Sequence, residues 1–173
     1  TLIQSSSAVE ELIGPFVYGT DGSGGKNLIV PTGGLRSLRT DESAKVAEDE
    51  YGNLRSQDNL YMNGSEIFTF TLLFIPTSVK EILTVSGKSM EDIDLFVFHQ
   101  ANKFMLEHLR KKLKVPEERF YISFKNYGNT VSSTIPIALK DAQSEGKLKS
   151  GDLVMLVGFG VGYSWGTTLV RWV

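Results

Sequence analysis

The chain has 173 residues, of which 41% are apolar and 22% are charged, and its formal net charge is −2. This length and apolar content suit one compact domain, and the charge balance offers no overall basic surface for nucleic acid. The absence of cysteine excludes disulfides, thiolate metal sites and a cysteine nucleophile within this chain, and two histidines argue against a histidine-rich zinc site. No apolar stretch is expected to reach the roughly 18–20 residues of a membrane span. The first residue is Thr1 and no signal peptide is visible, so we expect a piece of a longer protein.

The first sixty residues predict two strands and a long excursion. Residues 1–7 (TLIQSSS) begin as a strand, and FVYGT at 16–20 predicts a second one that runs into the turn-forming residues DGSGG. Residues 31–60 combine proline, glycine and many charges, so we expect a solvated excursion. A short helix is predicted within it, at about 44–49.

The rest of the chain predicts helices alternating with strands. Apolar residues recur at helical spacing in 66–85, in 101–113 and from Gly128 to about 144, where Pro136 is tolerated near the first turn. Short apolar runs predict strands at 93–98, 120–124, 153–157 and 167–172. This alternation indicates an α/β layered domain, and the last two strands are expected to pair as a hairpin across the segment GFGVGYSWG.

His99 follows a buried strand directly and is the first candidate for chemistry. Loops at strand ends carry functional side chains on a rigid base in α/β domains. The alternative is a core histidine whose ring is satisfied by backbone partners.

Two further segments carry candidate polar groups. Asn129, in NYGNTVSST at 126–134, can present a side-chain amide, although a turn and a helix cap explain the same residues. Glycines at 158, 160 and 162 let the backbone approach a ligand, although a tight hairpin explains them equally well. Together, an imidazole, an amide and backbone N–H groups are suited to stabilising an oxyanion or enolate. Only a nucleophile is missing.

Several motifs together resemble one family along most of the chain. They are GTDGSG with PTGG, MNGSEIF, DIDLFVFHQAN, NYGNTVSSTIPIAL and GDLVMLVGFGVGYSWGTTLVRW. The chain resembles the C-terminal half of a β-ketoacyl-acyl carrier protein synthase III, of the thiolase superfamily. The resemblance implies an α/β fold in which residues 1–173 form one thiolase-like half, a mixed five-stranded sheet with helices on both faces. Two such halves make an αβαβα body, and the N-terminal half, absent from this chain, holds the nucleophilic cysteine.

The resemblance also implies roles for individual residues. His99 and Asn129 are two members of a Cys-His-Asn triad, and the backbone N–H of Val161 forms part of an oxyanion hole. Other positions line the substrate and pantetheine tunnel or lie beside the cysteine: Asn102, Gly64, Phe68 and Phe159. The alternatives for these four are a helix N-terminus, core packing and hairpin geometry.

The implied activity is decarboxylating condensation of acyl thioesters in the initiation of fatty-acid synthesis. Acyl-CoA and malonyl-acyl carrier protein would be the substrates, and no cofactor or metal is implied. The partners would be acyl carrier protein, the N-terminal half and a second subunit of a cytoplasmic homodimer, without nucleic acid or membrane. Two alternatives remain: a related acyl-CoA condensing or acyl-transferring enzyme of specialised metabolism, and a non-catalytic thiolase-like module.

The sequence departs from the family at three positions, of which the Phe104 position is the one that would help receive the carrier or CoA. Phe104 occupies the place where an arginine is common, Ser65 replaces an asparagine and Val161 replaces a glycine. A basic run at 110–114 could attract an acidic carrier, although a solvated helix face near a C-terminus explains it too.

Overall fold

The computed structural model describes residues 11–173, so the strand predicted within 1–7 lies outside the described residues. The elements follow in chain order: β1 (Ile13–Thr20), β2 (Leu28–Ile29), β3 (Ala47–Glu48), β4 (Leu54–Arg55), β5 (Tyr61–Met62), α1 (Gly64–Ser86), β6 (Leu95–Phe98), α2 (Lys103–Leu113), β7 (Phe120–Tyr121), α3 (Phe124–Tyr127), α4 (Thr134–Ser144), β8 (Leu153–Gly160) and β9 (Ser164–Arg171). Short 3₁₀ helices cover Gly22–Lys26, Met90–Asp92, Glu117–Arg119 and Val131–Ser133.

Five strands form one mixed sheet in the order β1-β9-β8-β6-β7. β6 runs parallel to β7 and β8, whereas β9 is antiparallel to both β8 and β1. The predicted hairpin of the last two strands is confirmed. All four residues of β6 are buried because layers cover both faces of the sheet at this strand.

Helices cover both faces of the sheet. Successive residues of β6 point to opposite faces, so each face presents two buried side chains to a helix layer. Phe96 and Phe98 pack with buried residues of α1 and α2, whereas Leu95 and Val97 pack with buried alanines of α4. The α/β architecture with helices on both faces, predicted from the resemblance, is therefore confirmed.

Helix α1 forms where the apolar spacing predicted a core helix. The Asn63 side chain accepts a hydrogen bond from the Glu66 N–H at its start, and Gly87 ends it with a left-handed φ of 65°. By length and composition alone, α1 could cross a membrane, with mean hydropathy 1.4 over 18 residues. The expectation that no stretch reaches that length was therefore wrong. Ile75 and Ile82 nevertheless pack in the core below the sheet, and a core helix passes the same test.

Three local predictions were wrong in position or type. The helix predicted at 44–49 is instead strand β3, paired with β4 across a turn in which the Asp49 carboxylate accepts the N–H groups of Tyr51 and Asn53. The strand predicted at 120–124 ends at Tyr121. The helix predicted from Gly128 begins at Thr134 after a 3₁₀ turn, and Pro136 lies in its first turn as expected.

Candidate active site

His99 lies directly beyond the end of β6, at the edge of the sheet where β8 also ends. Its backbone N–H donates to the Val157 carbonyl at 2.8 Å, which continues the pairing of β6 with β8 by one residue. The ring is partly buried and meets the Phe159 ring edge-on, with centroids 5.4 Å apart. Both backbone and ring are therefore held by β8.

Thr134 holds the other side of the His99 ring. His99 Nδ1 lies 2.7 Å from Thr134 Oγ1, and the same hydroxyl donates to the Val131 carbonyl at 3.0 Å. A hydroxyl has one proton, so when it donates to Val131 its oxygen accepts the Nδ1–H of His99. A neutral His99 then presents the lone pair of Nε2, whereas the imidazolium presents Nε2–H as a donor.

Burial also affects the charge of His99. Desolvation lowers the pKa of the imidazole below its ordinary value, and a hydrogen bond with the Val131 backbone acts in the opposite direction. Burial is the larger effect, so the neutral form is favoured near neutral pH. Together with the Thr134 contact, this equips Nε2 to take a proton first and to donate it afterwards.

Asn129 lies on the loop that runs from α3 to α4, next to these contacts. Its Oδ1 accepts the Val131 N–H at 2.9 Å, so the turn interpretation holds for the oxygen of this side chain. Within the described residues its Nδ2 makes no hydrogen bond, and the residue is exposed. Gly128 and Val131 both have left-handed φ, 68° and 55°, and this conformation is rare for a β-branched residue. Because Nδ2 of Asn129 makes no hydrogen bond within the described residues, this amide nitrogen is free to donate to a ligand.

The tip of the β8–β9 hairpin brings Val161 to the same edge of the sheet. β6 and β8 are parallel, so their carboxyl ends meet there. Val161 is 56% exposed and follows Gly160, which pairs with Ser164. The exposed tip supports both interpretations of the glycine-rich run, because it is a tight hairpin and also presents backbone groups at the edge.

Tyr163 anchors this tip from two sides. Its backbone exchanges hydrogen bonds of 2.8 and 2.6 Å with Asp21. Its ring stacks on Phe70 with centroids 4.1 Å apart, and its hydroxyl accepts from Asn27 Nδ2 at 2.6 Å. Gly24 lies against the ring, where a Cβ would come within 2.1 Å of it. Sequence reasoning missed this anchor, although the GTDGSGG run contains Gly24.

The residues predicted along the pantetheine arm lie on the two helices of one face. Asn102 Oδ1 accepts the Met105 N–H at 2.8 Å and caps α2, as its alternative interpretation proposed. Gly64 is the exposed first residue of α1. The centroid of the Phe68 ring lies 5.3 Å from that of the Phe104 ring. These contacts account for each residue structurally and leave its contact with a substrate a prediction.

Phe104 belongs to an aromatic cluster that consists of Phe68, Phe104 and His108, in which Phe68 is partly buried against the core. The centroid of Phe104 lies 4.1 Å from that of His108, and Phe104 remains 63% exposed. The basic run on the same helix is smaller than its sequence indicated, because Arg110 pairs with Glu107 at 2.9 Å and donates to the Val115 carbonyl. Its exposed cations therefore include Lys111 and Lys112, near the C-terminal end of α2.

A depression of about 650 Å³ lies beside α4, and its lining includes Tyr127, Pro136 and Trp172 but not His99. The candidate site residues His99 and Asn129 therefore lie outside this depression.

Comparisons with known proteins identify the family to which the chain belongs. The family model described as 3-oxoacyl-[acyl-carrier-protein (ACP)] synthase III C terminal matches residues 83–172, more than half of the chain. The chain is 34% identical over 161 residues to a β-ketoacyl-[acyl-carrier-protein] synthase III of Caldanaerobacter subterraneus subsp. tengcongensis, covering 93% of this chain and 46% of that protein. It is 38% identical over 157 residues to the Listeria innocua enzyme of the same name, covering 91% and 43%.

Solved structures give the same result. The fold superposes on a crystal structure of a 3-oxoacyl-(acyl-carrier-protein) synthase III with a TM-score of 0.94 and 48% identity, over 97% of this chain and 50% of that one. For the Thermus thermophilus β-ketoacyl-acyl carrier protein synthase III the TM-score is 0.74 at 36% identity, over 93% and 46%. The chain thus spans about half the length of these relatives. It belongs to the family of 3-oxoacyl-[acyl-carrier-protein] synthase III C-terminal domains.

Proposed function

We propose that this chain is the C-terminal half of a decarboxylating acyl-thioester condensing enzyme and supplies two groups of its Cys-His-Asn triad. One observation carries the proposal. His99 and the loop of Asn129 are tied together through Thr134 and Val131 at one open sheet edge, with a free amide and an imidazole. The family membership supports the same assignment.

The first half-reaction uses His99 as a base. Nε2 takes the proton of the cysteine thiol that the N-terminal half supplies, and the thiolate attacks the carbonyl carbon of an acyl-CoA. The thioester bond to CoA breaks, CoA leaves as a thiolate and the acyl group stays on the cysteine. The lowered pKa of His99 supports this role because the ring is neutral before it accepts the proton. The backbone N–H of Val161 stabilises the oxyanion of the acyl-cysteine.

The second half-reaction uses both side chains as donors. The bond between the malonyl carboxylate and its α-carbon breaks, carbon dioxide leaves, and the electron pair moves towards the thioester oxygen. Nε2–H of the His99 imidazolium and Nδ2–H of Asn129 donate to that oxygen, where negative charge develops. The resulting carbanion attacks the acyl-cysteine carbonyl, and the cysteine leaves as a thiolate.

The remaining site residues position the substrates. Asn102, Gly64 and Phe68 line the path of the pantetheine arm on α1 and α2, and Phe159 packs beside both His99 and the acylated cysteine. The substrates are acyl-CoA and malonyl-acyl carrier protein, and the enzyme acts without a cofactor. The full enzyme is a cytoplasmic homodimer of two-half subunits.

The test uses the enzyme in which this chain is joined to its cysteine-bearing half. His99→Ala and Asn129→Ala should each slow release of carbon dioxide from malonyl thioester by about 10²–10³, the usual effect of one lost oxyanion donor. Asn129→Ala should leave acylation of the cysteine by acyl-CoA, followed by intact-protein mass spectrometry, nearly unchanged. Ser144→Ala is the control, because this exposed hydroxyl bonds only to the Lys140 carbonyl in the described residues and lies away from the proposed substrate path.

Two outcomes would contradict the proposal. Unchanged carbon dioxide release in Asn129→Ala would remove the donor role from Asn129. Absence of any acylated cysteine across a panel of acyl-CoAs would favour a non-catalytic module. Acylation with no malonyl-dependent condensation would instead favour an acyl-transferring relative.

A further inference from the structure

Gln100 is the buried residue of the HQAN segment that the reaction does not use. It follows His99 directly and is 1% exposed. Its Nε2 lies 2.8 Å from the Phe98 carbonyl and 3.3 Å from the Tyr121 carbonyl, and its Oε1 accepts the Ser123 N–H at 2.9 Å. Both protons of the amide nitrogen and one lone pair of the oxygen are thus used by the backbone.

These bonds lie where the strand pairing between β6 and β7 ends. The ladder joins Phe96 to Phe120 and Val97 to Tyr121, and the chain beyond Tyr121 turns away into α3. The side chain of Gln100 occupies the resulting gap and bonds to the ends of both strands. His99, one residue earlier, bonds instead to β8 through its backbone N–H. Two consecutive residues therefore fix the end of β6 to both of its neighbours.

The bond to Ser123 also fixes the backbone shortly before the loop that carries Asn129. Ser123 precedes the four-residue helix α3, which Gly128 caps at its C-terminal end, so Asn129 lies six residues beyond the tie. The same loop returns to His99 five residues after Asn129, through Thr134. Asn129 is therefore held between two ties, one from the Gln100 side chain and one from the His99 ring.

We propose that Gln100 is a positioning residue that sets the separation of the His99 and Asn129 donors by tying the start of the Asn129 loop to the end of β6. This inference rests on the proposed function. The competing explanation is that Gln100 stabilises the core without affecting the donors in particular. The two explanations differ in where the protein loosens when the amide is lost and in which kinetic step slows.

Gln100→Met is the test variant, because it keeps the length of the side chain and removes its hydrogen bonds. Ser78→Ala is the matched control, because it removes another buried hydrogen bond, the 2.7 Å contact with Thr167 between α1 and β9. Hydrogen–deuterium exchange of this chain should show faster exchange at 120–134 in Gln100→Met than in Ser78→Ala. Equal exchange there would overturn the inference, and this measurement does not depend on any activity.

The kinetic arm uses the enzyme that contains both halves. Displacing a donor by about 1 Å costs up to roughly 10²-fold in rate, so Gln100→Met should lower kcat for decarboxylation by roughly 10- to 100-fold with a smaller change in KM. Ser78→Ala should retain kcat. The double variant Gln100→Met with Asn129→Ala should be no slower than Asn129→Ala alone, because positioning acts through the amide of Asn129. Fully additive losses would overturn the inference.

A second variant covers the case in which Gln100→Met does not fold. Gln100→Glu keeps the shape of the side chain and the acceptor for the Ser123 N–H, but its carboxylate cannot donate to either strand end. Faster exchange at 120–123 with retained protection at Ser78 and its neighbours supports the tie, and uniform loosening overturns it. If Asn129→Ala alone has no effect on decarboxylation, the proposed function fails while the exchange result still decides whether the tie exists.

Discussion

Replacing Gly24 by alanine should disturb the hairpin tip through a steric conflict that the structure defines closely. A Cβ at this position would lie 2.1, 2.3 and 2.5 Å from three atoms of the Tyr163 ring, whereas ordinary contact begins near 3.4 Å. The ring would have to move by about 1.3 Å, judged from the shortest of these distances. It cannot move freely, because it is stacked on Phe70 and its hydroxyl is bonded to Asn27.

The expected loss combines two effects. Overpacking of a buried side chain costs about 1–3 kcal/mol, and loss of the Asn27 hydrogen bond adds about 1 kcal/mol. We therefore expect the free energy of unfolding of Gly24→Ala to fall by about 2–4 kcal/mol in urea denaturation. Hydrogen exchange at 160–164 should rise as well, because Tyr163 anchors the tip.

The matched control is Gly22→Ala. It lies in the same 3₁₀ segment, without a left-handed φ and with no atom within 4 Å of an added Cβ. Its free energy of unfolding should change by less than about 0.5 kcal/mol, as is usual for surface substitutions. Equal stability of the two variants, or a Gly24→Ala protein as stable as the wild type, would refute the packing argument.

The remaining predictions concern His99 and the partner surface. Histidine NMR of this chain should give His99 a pKa below its ordinary value. In the window between that lowered pKa and about 6.5, the folded protein then binds fewer protons than the unfolded chain. The free energy of unfolding should therefore rise with pH across this window and fall as pH drops through it. A wild-type urea midpoint that changes with pH as in His99→Gln would contradict this. Charge reversal at Lys111 and Lys112 should slow association with the acidic carrier chiefly at low salt, and an effect equal at all salt concentrations would exclude steering. Phe104→Arg should lower the Michaelis constant for malonyl-carrier substrate, because a guanidinium offers phosphate a fork of donors; a higher value would favour an apolar contact at the aromatic cluster.

The sequence predicted the elements that are buried on regular faces. The four-residue strand β6 and the long helix α1 follow directly from a continuous apolar run and from helical spacing. The position of His99 could also be predicted, because the residue directly after a buried strand lies where that strand leaves the sheet. The short helix predicted at 44–49 was wrong, because the Asp49 carboxylate accepts backbone N–H groups there and favours a turn.

The contacts that orient the site gave no local signal. Thr134 lies 35 positions from the imidazole that it bonds, and Gln100 lies 23 positions from Ser123. No periodicity links such pairs, because each bond depends on how two strands end and not on the residues beside it. Pro76 in the interior of α1 also had no local indication of its tolerance, and the tertiary packing of that helix on the sheet overrides its helix-breaking tendency.

The exposed fraction differs between the residues proposed to contact substrate and the residues that hold them in place. Asn129 and Val161, two of the proposed donors, are exposed, whereas the residues proposed to hold the site in place are buried: Gln100 at 1%, Thr134 at 3% and Tyr163 at 6%. Buried anchors lose their side-chain freedom when the chain folds, so the donors are directed before any partner arrives. Preorganised donors stabilise developing charge without reorganising at the moment of reaction. The N-terminal half would then need to bring the cysteine and cover the open edge, which excludes water and strengthens these hydrogen bonds, but it would not need to build them.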